Sequence, residues 1–229
     1  KKKKKKKKKK MDAEKVAITF TQPGNHYVVG PSMIGKSHFV RQLLLNHERE
    51  NEKPFDTILY CYKAWNEEFQ ALKDALDILT FYKGFPTREM LEEIYQNGTS
   101  ESNHCLVIDD YGLEASSSRE ALDVFLVHTH HFRFTTLYLN QSMYGGGKYA
   151  RTIALNMNYI TVFAIPRDKD VMRYLGRQVF GEGGGRFLQE AHHFVTKNNP
   201  RGYLCIDLTP HCPDLYKVCF NFDPGKLFG

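Results

Sequence analysis

Residues 30–37 run Gly30-Pro31-Ser32-Met33-Ile34-Gly35-Lys36-Ser37, two glycines five positions apart followed by a lysine and a hydroxyl. This spacing suits the cradling of a phosphate chain, the P-loop pattern. Glycines let the loop curl until its backbone N–H groups point at phosphate oxygens, and a helix starting there adds the positive end of its dipole. Lys36 is placed to reach the β- and γ-phosphates, and the Ser37 hydroxyl to ligate Mg²⁺. His38 follows in the same helical turn and completes the nucleotide-binding candidates.

A phosphate site that hydrolyses its ligand also needs carboxylates. Leu106-Val107-Ile108-Asp109-Asp110 supplies them, an apolar run ending in two acids. Asp109 is the candidate for the Mg²⁺ shell and Asp110 for the general base that polarises water. Glu114 is the second candidate base, because a shorter Asp falls back from the water. Gln141 closes the apolar run 135–139, where a side-chain amide can sense the γ-phosphate. Arg151, Arg167 and Arg173 follow that run, and an arginine acting across a subunit boundary neutralises transition-state charge. Arg151 ranks first, since it follows a glycine loop. That loop is Gly145-Gly146-Gly147-Lys148, and a second glycine run lies at Gly183-Gly184-Gly185-Arg186.

The elements that must hold these groups alternate. Short β-branched and aromatic runs at 26–29, 57–62, 78–82, 105–108, 135–139 and 159–165 predict strands. Helical spacing over 37–46, 66–76, 87–96, 117–131, 151–156, 169–179 and 187–195 fills the intervals. Alternation of this kind predicts an α/β domain with a mainly parallel sheet flanked by helices. Runs at 202–208 and 217–222 predict a closing β-hairpin at one sheet edge. Neither an internal repeat nor a dividing linker appears, so residues 11–229 are expected to form a single domain.

Charge gives a warning. The chain of 229 residues has 32 Lys and Arg against 26 Asp and Glu, a net of +6, but residues 1–10 are all lysine and are expected to be a tag or artefact. Without them the balance is 22 against 26, a net of −4, which excludes a strongly basic nucleic-acid binder at the level of whole-chain charge. With 41% hydrophobic residues the composition is globular, and with neither an apolar run of spanning length nor a signal-peptide pattern the expectation is a soluble, intracellular protein without a membrane contact. The five cysteines form no Cys-x-x-Cys pair, and Cys61, Cys105 and Cys205 sit in apolar runs as buried thiols do.

Taken in order, the P-loop, the Asp109-Asp110 run and the Gln141 run resemble the viral genome-packaging ATPases of the FtsK/HerA superfamily, in their poxvirus-like and Polinton/Maverick-like branch. The resemblance spans about residues 25–223 and includes His130-His131-Phe132-Arg133, Tyr138-Leu139-Asn140-Gln141, Arg151-Thr152-Ile153-Ala154-Leu155-Asn156, Pro166-Arg167-Asp168-Lys169 and the block Gly202-Tyr203-Leu204-Cys205-Ile206-Asp207-Leu208. It implies a RecA-like (ASCE) core, ATP and Mg²⁺ as cofactors, and a homo-oligomeric ring, pentamer or hexamer. The ring would drive double-stranded DNA into a preformed capsid at a portal or capsid protein, in the host nucleus or a cytoplasmic assembly site. Asp110 stands where the family usually has Glu, which leaves Asp110 and Glu114 both open as the base. A ring also answers the charge problem, because several copies of Lys148, Arg151 or Lys197 around a pore add their fields on one DNA backbone; in such a ring the Gly145–Lys148 loop is the first candidate for contact with DNA, through Lys148 and Arg151, and Gly183–Arg186 the second.

Three other readings share the P-loop. A helicase or transposition factor would process DNA without a capsid, a nucleotide kinase would need an acceptor pocket, and an ATP-dependent assembly scaffold would turn over slowly or not at all.

Overall fold

The computed structural model describes residues 20, 22–50, 53–168, 170–197 and 199–220, so the lysine run 1–10 lies outside the described residues. An eight-stranded sheet forms the centre, in the order β3-β2-β4-β5-β1-β6-β7-β8. The strands are β1 (Asn25–Val29), β2 (Thr57–Tyr62), β3 (Leu79–Lys83), β4 (His104–Asp109), β5 (Phe134–Asn140), β6 (Tyr159–Phe163), β7 (Tyr203–Asp207) and β8 (Val218–Phe220). From β3 to β6 every neighbouring pair is parallel. The β6–β7 and β7–β8 pairs are antiparallel, and β7 and β8 form the expected hairpin at the edge. Residues 221 and 222 of the predicted last strand lie outside the described residues.

Buried parallel strands need apolar residues on both faces, and β4 shows it: Cys105, Leu106, Val107 and Ile108 are all completely buried. Successive residues then divide between two cores. Leu106, Ile108, Tyr27, Val29 and Tyr138 enter one, and Cys105, Val107, Val28, Leu137 and Leu139 the other. The second is closed by α1 (Lys36–Leu45), followed by the single turn α2 (His47–Glu50), and by α3 (Glu68–Ala75) through Phe39, Val40, Leu44, Phe69 and Leu72. The first is closed by α4 (Arg88–Asn97), α5 (Gly112–Ser117), α6 (Arg119–Asp123), α7 (Thr129–His131), α8 (Ala150–Leu155), α9 (Asp170–Phe180) and α10 (Gly184–Lys197). No helix among the described residues is long and apolar enough to cross a membrane.

Two segments differ from the expectation. Periodicity predicts one helix over 117–131, whereas the chain breaks at Ser118 between α5 and α6 and then continues through a π-helical turn (Val124–His128) into α7. Three consecutive serines cause the break. Ser116 and Ser117 turn their hydroxyls back to the carbonyls of Gly112 and Leu113, both at 2.6 Å, and Ser118 accepts from the Ala121 N–H at 3.0 Å to start α6. The second difference is at Gly183-Gly184-Gly185-Arg186, where Gly184 and Gly185 lie inside α10 rather than in an open loop. A Cβ on Gly184 would collide with the Gly176 carbonyl and one on Gly185 would meet the Arg173 carbonyl at 2.8 Å, so these glycines let α9 and α10 touch backbone to backbone.

Candidate functional site

The Gly30–Ser37 loop joins β1 to α1, the strand-to-helix setting that a phosphate cradle requires. Gly30 leaves β1 and donates its N–H to the Asn140 carbonyl at 3.2 Å, which ties the root of the loop to the end of β5. Met33 (φ 63°) and Gly35 (φ 118°) take left-handed backbone, and Gly35 caps α1. Lys36 Nζ donates to the carbonyls of Gly30 at 2.7 Å and Pro31 at 3.0 Å, so the ammonium sits within the arch of its own loop. Burial lowers its pKa, and the Asp109 and Asp110 carboxylates oppose that shift. Pro31, Ile34 and Ser37 are half-buried, while Ser32, Met33 and His38 are exposed.

Between the phosphate strand β1 and the acidic strand β4 lies β5, the strand that carries Gln141 at its end. Asp109 is the last residue of β4, and its Oδ2 accepts from the Tyr60 hydroxyl of β2 at 2.8 Å. Burial raises the Asp109 pKa, while the Tyr60 hydrogen bond and the Lys36 charge pull it down. Asp110 turns left-handed at φ 63°, a conformation Asp tolerates better than most residues, and its carboxylate is exposed. Gln141 Nε2 donates to Asp110 Oδ1 at 3.0 Å.

Gln141 is aimed by the residue before it. Asn140 Oδ1 accepts the Gln141 N–H at 2.8 Å, and its Nδ2 donates to the hydroxyls of Tyr27 and Tyr138 at 3.1 and 3.3 Å and to the Ser142 carbonyl at 3.0 Å. Those two tyrosine rings stack with centroids 4.8 Å apart. Gly112, two residues after Asp110, packs directly on the Asn140 amide. Any side chain there would collide with Asn140 Oδ1, so glycine is required where α5 starts against the end of β5.

Glu114 has a different partner. On the first turn of α5 its Oε1 meets Lys63 Nζ at 2.5 Å, and this contact lowers the Glu114 pKa and raises that of Lys63. Asp110 and Glu114 are therefore separated by their bonding, one held by a neutral amide and the other by a cation.

Lys148 and Arg151 are exposed, beyond the glycine loop and on α8 respectively. The loop itself is pinned to α5. Gly147 N–H donates to Ser116 Oγ at 2.7 Å, and Tyr149 N–H donates to the Ser116 carbonyl at 2.8 Å. Lys148 Nζ lies 5.1 Å from the Tyr149 ring centroid.

The oxygen donors fit a hard divalent cation. Ser37 offers a hydroxyl and Asp109 a half-buried carboxylate at the end of β4. No group of three or more His, Cys, Asp or Glu among the described residues can hold a metal ion alone.

Tyr60, Lys63, Asn140 and Ser116 escape the sequence reading. A phenol inside the apolar run of β2 is the only trace of Tyr60, and Lys63 lies 51 residues from Glu114, beyond any local pattern.

No family profile and no curated protein sequence matches the chain. Solved structures do. The genome packaging NTPase B204 from Sulfolobus turreted icosahedral virus 2, in complex with ATP-gammaS, superposes with a TM-score of 0.55 at 12% identity, covering 87% of this chain and 97% of that one. Its complex with AMPPCP gives 0.52 at 13% over the same shares. B204 from Sulfolobus turreted icosahedral virus, a DNA-packaging ATPase, gives 0.56 at 12%, again covering 87% and 97%. The chain has the fold of these packaging NTPases. With β5 inserted between the phosphate and acidic strands, Lys36, Asp109, Asp110 and Gln141 come from the carboxyl ends of strands or the helix just beyond, where open α/β sheets gather ligands.

Proposed function

We propose that the protein is an ATP-hydrolysing motor of the FtsK/HerA superfamily that translocates double-stranded DNA into a capsid. The observation that carries this reading is the Gln141–Asp110 hydrogen bond on the strand order β4-β5-β1. A γ-phosphate bound at Lys36, whose charge couples to Asp109 and Asp110, would face this pair, so one amide can report on both the phosphate and the water-activating carboxylate. Support from the fold comes from neighbours crystallised with ATP analogues and described as packaging enzymes.

Each residue then has a role. Backbone N–H groups of 32–37, at the start of α1, bind the β-phosphate, and Lys36 exchanges its loop carbonyls for phosphate oxygens. Ser37 and Asp109 would hold Mg²⁺, which when bound neutralises charge on the β- and γ-phosphates. Tyr60 donates to Asp109 and favours its ionised form against the effect of burial. Asp110 takes the proton of the attacking water, oriented by Gln141, and Glu114 stays with Lys63. Arg151, exposed on α8, is the candidate to reach a neighbouring subunit's nucleotide in a ring of five or six copies, and Lys148 to touch the DNA backbone. A portal or capsid protein would receive the ring.

Steady-state phosphate release from ATP tests the chemical half of this proposal. Turnover that disappears in both Lys36→Ala and Asp109→Ala is expected, and turnover that persists in either rules the site out.

A further inference from the structure

The sheet has two flanks around the phosphate loop. Strands β5 and β4, with Gln141, Asp109 and Asp110, lie on one side of β1, and β6 and β7 on the other. If the γ-phosphate faces the carboxylates, the α-phosphate and the nucleoside point toward β6 and β7.

On that flank the loop meets an arginine outside the P-loop pattern. A Cβ placed on Gly35 would lie 4.0 Å from both Cγ and Cδ of Arg201 and 3.6 Å from Cε1 of Phe163. Arg201 belongs to the turn that enters β7. The turn is fixed by the Asn199 side chain, whose Oδ1 accepts the Arg201 N–H at 3.1 Å, and by the Asn199 carbonyl, which accepts the Gly202 N–H at 2.8 Å. An aromatic bed beneath it joins β6, β7 and α1: the Tyr203 ring lies 5.1 Å from those of Phe39 and Phe163. The stem of Arg201 therefore rests on the capping residue of α1 from an anchored base. Its guanidinium is exposed and has neither a hydrogen bond nor an ion pair among the described residues.

We propose that Arg201 binds the α- and β-phosphates of the nucleoside triphosphate held by its own subunit. The inference rests on the phosphate-site reading given above. Lys36 serves the γ side of the loop and Arg201 the nucleoside side, where a planar fork of donors can bridge oxygens of adjacent phosphates. This role differs from that of Arg151, which acts toward a neighbour.

Calorimetric titration of the full chain with ATP and with ADP, in constant Mg²⁺, tests it. Arg201→Gln should weaken both ligands by the same factor, about tenfold for the loss of one charge-assisted contact. Arg201→Lys, which keeps the charge but not the fork, should fall between. An exposed side chain leaves the fold intact, and an unchanged thermal midpoint for Arg201→Gln verifies that. Unchanged affinities in Arg201→Gln, with ATP binding lost in Lys36→Ala, overturn the role of Arg201 and leave the phosphate site standing. Weakened ATP with unaltered ADP overturns it too, since the contact would then be with the γ-phosphate. Wild-type protein that binds neither nucleotide brings down the site reading and this inference together.

Discussion

The Gln141 side-chain amide donates to the Asp110 carboxylate at 3.0 Å across the ends of two neighbouring strands. Asp110 is thereby held by a neutral amide, while Glu114, on the first turn of α5, is paired directly with the Lys63 ammonium.

This difference predicts which carboxylate is the base. Asp110→Asn should reduce ATP turnover by about 10²–10⁴-fold with nucleotide binding retained, and Glu114→Gln by less than about tenfold. Single-turnover assays on both variants decide it, and the reverse order of effects would assign the base to Glu114.

Tyr60 should set the acid limit of activity. Its hydroxyl pulls the Asp109 pKa down against burial, so Tyr60→Phe lets it rise and moves the acid limb of the pH–rate profile to higher pH. A profile that stays in place would show that Asp109 ionisation does not limit the reaction.

Much of this architecture is legible in the sequence, because buried parallel strands must be continuously apolar and the loop spacing is tied to phosphate geometry. The Cys105–Ile108 run and Gly30–Ser37 show both. The break at Ser118 is hidden, since the apolar stripe through Ala121 and Phe125 carries the helical period onward while the serine hydroxyls compete for backbone groups. Pairings such as Tyr60 with Asp109 or Lys63 with Glu114 join residues about 50 apart in sequence, and only the β2–β4 register brings them together. Arg201 is equally invisible, because its approach to Gly35 depends on the position of β7 in the sheet.

Ser116 links the two halves of the proposed motor. Its hydroxyl bonds both the first turn of α5 and the Gly147 N–H, four residues before Arg151. Ser116→Ala and Lys148→Ala should each reduce the stimulation of hydrolysis by duplex DNA by a larger factor than they reduce hydrolysis without DNA. Equal factors in paired assays would count against a coupling role.

Stability should fall on acidification. Burial lowers the pKa of His47, His104, His128 and His192, so the unfolded chain, titrating near its usual 6.5, binds protons that the folded chain refuses. The stabilisation is complete above about pH 6.5 and declines below it, at about 2–4 °C in thermal midpoint for each kcal/mol lost. Among the described residues neither ring nitrogen of His104 has a hydrogen-bond partner, so His104→Leu should flatten the decline between pH 7.5 and 5.5. An equally steep decline in the variant would locate the effect elsewhere.

The α9–α10 joint tolerates no side chain. Gly176→Ala drives a Cβ into the Gly184 carbonyl and should destabilise the fold by about 1–3 kcal/mol, read as a lower denaturant midpoint with an unchanged slope.

A packaging motor couples its ATP hydrolysis to duplex DNA. Steady-state ATP turnover with and without linear double-stranded DNA tests it most directly, using protein lacking residues 1–10, whose ten lysines would bind DNA by charge alone, and Lys36→Ala as the blank. Stimulation by duplex DNA that vanishes in Lys36→Ala is the predicted result. Turnover indifferent to DNA at every protein concentration would contradict the motor.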